Sequence, residues 1–77
     1  MYTESDIKKF FLRMEPEEVY TPAGITLTKY NYTFKFPEQI INKQGMVLGD
    51  EITIHMPKED KEEAIKEAFK EYKKAIS

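Results

Sequence analysis

The chain has 77 residues, a formal net charge of −2 and no cysteine, and hydrophobic residues make up 40% of it. This length allows one domain, and the hydrophobic content is too high for a disordered segment. The absence of cysteine excludes disulfides, thiolate nucleophiles and cysteine-ligated zinc, and the near balance of 12 basic and 14 acidic residues lacks the basic excess of most nucleic-acid modules.

The chain begins Met-Tyr-Thr-Glu-Ser-Asp, which has neither the basic region nor the apolar region of a secretion signal. No apolar run approaches the ~20 residues that a membrane-spanning helix needs. We therefore expect a cytoplasmic protein without a membrane partner, folded as one small globular domain over residues 1–77.

The first predicted element is a short amphipathic helix from Thr3 to Met14. Its four apolar residues recur at i, i+3, i+4 and i+7, which places them on one side of a helix. They are Ile7, Phe10, Phe11 and Met14. Thr3 and Ser5 are both candidates for the N-cap. The helix is expected to end before Pro16, because proline disfavours the α conformation of the residue that precedes it.

Residues Glu15–Gly24 are predicted to form a connector, because two prolines and a glycine interrupt this segment. Within it, Val19 and Tyr20 either contact the core or form a short extended edge, and the sequence does not separate these alternatives. The glutamates at the start of the segment are typical of a solvated loop.

The segment from Gly24 to Pro37 is the longest run of β-favouring residues, and it alternates. Successive side chains of a strand point to opposite sides of a sheet, so the pattern predicts one buried face and one solvent face. The buried face would carry Tyr30, Tyr32, Phe34 and Phe36, and the solvent face Lys29, Asn31, Thr33 and Lys35.

Ile25 and Leu27 break this pattern, because they share the parity of the polar set. A bulge near Thr28–Lys29 would return them to the core face. Alternatively, the first half of the strand is covered on its other side. As a third possibility, the two residues form an exposed apolar patch that contacts a partner.

The segment Pro37–Gln44 allows one or two helical turns, since proline suits a first helical position, with Ile40 and Ile41 facing inward. A hairpin is expected next. Its two-residue turn would be Gly49-Asp50, because glycine at the first turn position suits a type II′ turn. This register would pair Val47 with Ile52 and make Glu51–Met56 a half-buried strand.

The C-terminal segment is predicted to be an amphipathic helix that begins with a capping box at Asp60 and Glu63. Its apolar stripe consists of Ala64, Ile65, Ala68, Phe69, Tyr72, Ala75 and Ile76. Together the elements predict an α+β fold, specifically a two-layer sandwich. The N-terminal and C-terminal helices would pack on one face of a three-stranded, mainly antiparallel sheet.

No residue pattern indicates catalysis. His55 is the single histidine, and Glu51, on the same strand face, is four residues away, beyond hydrogen-bond reach in an extended chain. The chain contains no phosphate-binding glycine motif, and its acidic stretches lack the layout of a calcium loop. We therefore expect a protein that is not an enzyme and that has no cofactor, metal or small-molecule substrate.

The leading functional hypothesis is a binding or regulatory protein that contacts another protein, a second copy of itself, or both. The candidate surface is the sheet face opposite the helices. Its residues are Ile25, Leu27, Lys29, Asn31, Thr33, Lys35, Thr53 and His55.

The alternative hypothesis is a small RNA- or DNA-binding module. The segment from Lys29 to Phe36 interleaves bases with aromatic residues, as do sheet platforms that stack single-stranded RNA. Rings that form the core cannot also stack on bases, so the version that remains places Lys29 and Lys35 on phosphates. Lys43 and the C-terminal lysines would assist them.

Overall fold

The computed structural model describes all residues from Met1 to Ser77. The chain forms a helix, three strands and a second helix, and the strands make one antiparallel sheet in the order β1-β2-β3. The elements are α1 (Glu4–Lys9), β1 (Phe11–Tyr20), β2 (Thr26–Ile41), β3 (Val47–Met56) and α2 (Lys61–Ile76). The predicted α+β fold with N-terminal and C-terminal helices and a three-stranded sheet is confirmed.

The core lies between the aromatic face of β2 and the two helices. Tyr32, Phe34 and Phe36 are only 2%, 0% and 1% exposed, as the alternation predicted, whereas Tyr30 is half-buried. The helices contribute Ile7 of α1 and Ala64, Ile65, Ala68 and Tyr72 of α2. Alanine leaves room for a helix to approach a sheet that already carries large rings, so small residues of α2 meet large residues of β2.

The first helix is shorter than predicted, because α1 ends at Lys9. Thr3 is its N-cap, in a capping box with Asp6 in which each side chain accepts the backbone N–H of the other residue. Phe11 and Met14 instead belong to β1, opposite Phe34 and Tyr32. Their apolar spacing fits a helix, but a helix of about 11 residues is marginal alone, and pairing with β2 satisfies the same backbone groups while leaving both side chains against the core.

The predicted connector from Glu15 to Gly24 is mostly strand, and the alternative of an extended edge for Val19 and Tyr20 is correct. β1 pairs with β2 as far as Tyr20↔Thr26. Pro16 is tolerated because β1 is an edge strand, where a missing N–H can face away from the sheet. Gly24 supplies the positive φ of +80° in the loop that follows.

The central strand continues past Pro37 to Ile41, so the helical turns predicted for Pro37–Gln44 do not form. The pairing shifts register between Lys35 and Ile40, which accommodates the proline. Ile40 faces inward as predicted, whereas Ile41 is exposed. The predicted inward position of Ile41 is therefore wrong.

The second hairpin turns at Asn42–Met46 and not at Gly49-Asp50. Asn42 accepts the backbone N–H groups of Gln44 and Met46 on Oδ1, at 3.0 and 2.9 Å, and its own N–H donates to the Met46 carbonyl. Gly45 provides the φ of +81° that this loop requires. Val47 therefore lies opposite Ile41, whereas Ile52 lies opposite Phe34, so the predicted Val47–Ile52 pair is wrong.

The β1–β2 ladder also decides between the three explanations for Ile25 and Leu27. Pairing is continuous from Val19↔Leu27 to Arg13↔Thr33, so no bulge exists near Thr28–Lys29. Ile25 is 58% and Leu27 55% exposed, which excludes a cover over this part of the strand. The two side chains are an exposed apolar patch. Neither helix of the protein is long and apolar enough to cross a membrane.

Candidate protein-binding surface

We call the face of the sheet opposite the helices the open face. The pairing register of the three strands determines which residues are neighbours on it. Antiparallel pairing places Asn31 between Glu15 and His55, and Thr33 between Arg13 and Thr53. The open face consists of Arg13, Glu15, Glu17 and Val19 of β1, Leu27, Lys29, Asn31, Thr33 and Lys35 of β2, and Glu51, Thr53 and His55 of β3.

A hydrogen-bonded network crosses all three strands of the open face. Glu17 accepts from Nδ2 of Asn31 and from Nζ of Lys29, both at 3.1 Å. Oδ1 of Asn31 lies 2.5 Å from Nδ1 of His55. Because Asn31 donates to Glu17 through its amide nitrogen, its oxygen must accept, so Nδ1 of His55 carries a proton in this arrangement.

This network holds the Glu17 side chain in its ionised form. The Asn31 amide and then the Lys29 ammonium lower the pKa of the Glu17 carboxyl. At the other end of the open face, Nζ of Lys35 lies 2.6 Å from Oδ2 of Asp50, and this hydrogen bond raises the Lys35 pKa. Both sheet lysines are therefore engaged with a carboxylate of the chain itself.

One end of the open face is apolar. Val19 and Leu27 are directly opposite each other on β1 and β2, and Ile25 lies two residues before Leu27. We call Val19, Ile25 and Leu27 the apolar corner. Val19 is 39% exposed and the other two are more exposed still.

The structure brings together most of the predicted surface. Lys29, Asn31, Thr33, Thr53 and His55 are contiguous through ladder pairs, with Thr33 Oγ1 3.4 Å from Thr53 Oγ1. Two details differ from expectation, since Thr33 is only 5% exposed and Ile25 lies in the loop before β2.

β1 also contributes to this surface, which the sequence pattern alone does not predict. The pattern predicts a connector at Glu17 and Val19, whereas residues 13, 15, 17 and 19 of β1 all lie on the open face. The Thr-Pro-Ala-Gly segment before Ile25 indicates that β1 is a strand, because such a cluster between two extended segments predicts a hairpin.

A second exposed apolar cluster lies outside the predicted surface, because the hairpin turns at Asn42–Met46 and not at Gly49-Asp50. It surrounds the β2–β3 turn and consists of Ile41, Met46, Val47 and Leu48. Lys43, the third lysine of the nucleic-acid hypothesis, lies in this turn, beyond the end of β2, and not beside Lys29.

His55 contacts an amide and not a carboxylate, and no three histidine, aspartate or glutamate side chains are grouped to hold a metal ion. Comparison of the chain with protein-family models, curated protein sequences and solved structures finds no match in any of the three.

Proposed function

We propose that the chain is a non-catalytic binding module that acts by contact with another protein, through the apolar corner and the adjoining open face. The apolar corner carries this proposal. Burial of apolar surface contributes roughly 25 cal/mol per Å², so side chains left exposed as a group are a source of binding free energy that the fold itself does not use. Grouped apolar residues with a polar rim are typical of protein interaction sites.

The polar part of the open face supports the same function. Its side chains already hydrogen-bond one another, as Glu17, Asn31 and His55 do across the sheet. A surface with ordered side chains loses less conformational entropy on binding. The apolar corner would supply affinity, and the donors and acceptors beside it would supply specificity.

The charges of the open face favour a protein over a nucleic acid. Lys29 and Lys35 each contact a carboxylate, and Glu15, Glu17 and Glu51 lie among them. A phosphate backbone would meet these carboxylates as well as the lysines. Nucleic-acid binding depends on a net basic surface, which this face lacks.

The test compares two double variants that remove equally exposed apolar pairs. Ile25→Asp with Leu27→Asp changes side chains that are 58% and 55% exposed, and the matched control, Ile41→Asp with Val47→Asp, changes a pair that is 52% and 59% exposed. A protein captured from the native host is purified and then titrated directly against each chain. We expect the first pair to weaken binding at least tenfold, about 1.4 kcal/mol, and the control to leave it within about twofold.

Several outcomes would contradict the proposal. Equal effects of both double variants would show that the apolar corner is not the contact surface. Capture that disappears after nuclease treatment and weakens steeply with salt would favour the nucleic-acid hypothesis. A dimer of the free chain that only the first double variant dissociates would assign the surface to a second copy.

A further inference from the structure

The outer edge of β3 lies beside α2 and is unpaired. β3 is the last strand of the sheet, so it pairs only with β2. In an antiparallel ladder, every second residue of an edge strand points its backbone N–H and C=O away from its neighbour. A groove of about 610 Å³ follows this edge and is closed on its other side by α2.

The segment Glu51–Met56 of β3 is free of features that block pairing with a further strand, whereas at Gly49, whose φ is +98°, the ladder with β2 is irregular. The segment Val47–Met56 contains no proline, and Pro57 comes after its last residue. β1, the other edge strand, carries Pro16 within it and three glutamates around it, which are devices that protect an edge from pairing. The two edges of the sheet therefore differ, and the regular segment Glu51–Met56 of β3 is the part that can accept another strand.

The groove is acidic. Four carboxylate side chains line it, and no lysine or arginine does. They are Glu51 of β3 and Glu63, Glu67 and Glu71 of α2. Lys70 and Lys74 approach Glu67 and Glu71 from the same helix, at 3.4 and 3.7 Å, but such exposed pairs are weak.

The spacing of these acids matches an extended chain. Glu63, Glu67 and Glu71 are each four residues apart, and a helix rises 1.5 Å per residue, so their steps along the axis are about 6 Å. Alternate side chains of a strand are about 6.6–6.8 Å apart. Three consecutive positions therefore span about 12 Å on the helix and about 13 Å on a strand. Ile52, Leu48 and Ala75 form apolar parts of the same groove.

We propose that this groove binds an extended segment of a partner protein that carries lysine or arginine at every second position. The segment adds a fourth strand next to β3 and directs its basic side chains toward the glutamates of α2. Backbone hydrogen bonds and alternate side chains together provide recognition of this kind. The proposal does not depend on the apolar corner, although Glu51, Thr53 and His55 of the open face also line the groove at the edge of β3.

A second copy of the chain does not fit the groove. A second β1 would place Glu15 and Glu17 on one face of the sheet and Glu18 on the other, so a carboxylate would approach the acids of the groove in either orientation. The edge of a second β3 would bring another Glu51. Like charges placed opposite each other across strands are destabilising, so the charge of the groove selects a basic segment from a different protein.

The test uses a synthetic ten-residue peptide of alternating lysine and valine, matched to the ten residues of β3, titrated into the isotope-labelled protein and followed by NMR. We expect shifts and hydrogen-exchange protection at β3 amides. Glu63→Gln with Glu67→Gln and Glu71→Gln should weaken binding at least tenfold. The control, Glu18→Gln with Glu38→Gln and Glu62→Gln, removes the same charge outside the groove and should change binding less than twofold.

Two N-methylated forms of the peptide separate strand addition from simple charge attraction. Methylation on the odd or on the even backbone nitrogens keeps every charge but removes the donors of one edge. We expect one form to lose binding at least tenfold and the other to retain it. Equal binding of both forms, no binding at about 1 mM peptide, or shifts confined to other surfaces would overturn the proposal. Ile25→Asp with Leu27→Asp should leave peptide binding unchanged, so this test and that of the apolar corner fail independently.

Discussion

The two faces of β2 are made from alternate residues of one strand, yet they have opposite properties. Tyr32, Phe34 and Phe36 are sealed beneath the helices, whereas Lys29 and Lys35 meet solvent and carboxylates. Each large ring buries on the order of 150–250 Å², but an exposed ion pair contributes only about 0–1 kcal/mol. The buried face of the strand therefore provides most of the stability of the fold. Residues of the other face can be chosen for binding with little loss of stability.

The sealed face gains further stability from ring packing. Phe36 stacks on Tyr72 of α2, with ring centroids 5.5 Å apart and planes inclined by 26°. Tyr2 packs against the same two rings, and its backbone N–H donates to the Tyr72 hydroxyl at 3.1 Å. Burial of Tyr32 also raises the pKa of its phenol. The N-terminal residues are thus tied to the C-terminal helix through the core.

The largest expected difference between the faces comes from Phe34→Ala compared with Lys35→Ala. Phe34 is fully buried, so its truncation should cost ~3–5 kcal/mol of unfolding free energy, which is a large part of what a chain of this size possesses. Lys35→Ala should cost less than about 1 kcal/mol. Chemical denaturation of the two variants measures both values, and similar losses would contradict the division between the faces.

A smaller effect is expected where α2 begins, because this helix covers the aromatic face. Asp60 is the N-cap and accepts the backbone N–H of Glu63 at 3.1 Å. Asp60→Ala should lower the unfolding free energy by ~1 kcal/mol. Glu59→Ala, a neighbouring acid that does not cap the helix, is the control. Equal denaturation midpoints for the two variants would count against a capping role.

On the open face, Asn31→Ala should have a still smaller effect on stability, under about 1 kcal/mol, but a distinct effect on titration. The Asn31 amide is the main reason for the lowered pKa of Glu17. Its removal should raise the Glu17 pKa toward the ordinary value, which an NMR titration of the carboxyl carbon would record. Thr53→Ala leaves the amide in place and should not move this pKa.

The smallest expected effect is the pH dependence that Glu17 contributes. Because its folded pKa is below the unfolded value, this contribution to stability is present above about pH 4.5 and is lost as the pH falls through the folded pKa. Glu17→Gln should flatten the fall in denaturation midpoint between about pH 5 and pH 3. Asp6, whose pKa is lowered chiefly by the Thr3 backbone N–H, retains its own contribution in this variant. An unchanged acid profile would contradict the role of Glu17.

Much of the candidate surface follows from alternation alone. Lys29, Asn31, Thr33 and Lys35 share a face because side chains of a strand alternate, and the same parity placed Leu27 with them. Alternation along β2 does not predict which residues of β1 and β3 lie beside these side chains. Glu17 and Val19 lie on the open face because of the way β1 pairs with β2. This pairing brings together residues that are distant in sequence, so a local pattern does not reveal it.

The sequence by itself determined the C-terminal helix and the two faces of β2, because their patterns are long and each fits only one period. Residues 10–20 were different. Phe10, Phe11 and Met14 are spaced as in a helix, but pairing with β2 supplies Phe11 and Met14 with backbone partners and core contacts in an extended form. The turn at Asn42–Met46 was likewise selected by the whole hairpin, since two glycines offered local alternatives. Only tertiary structure decided these segments, because their local preferences are close in free energy and distant contacts outweigh them.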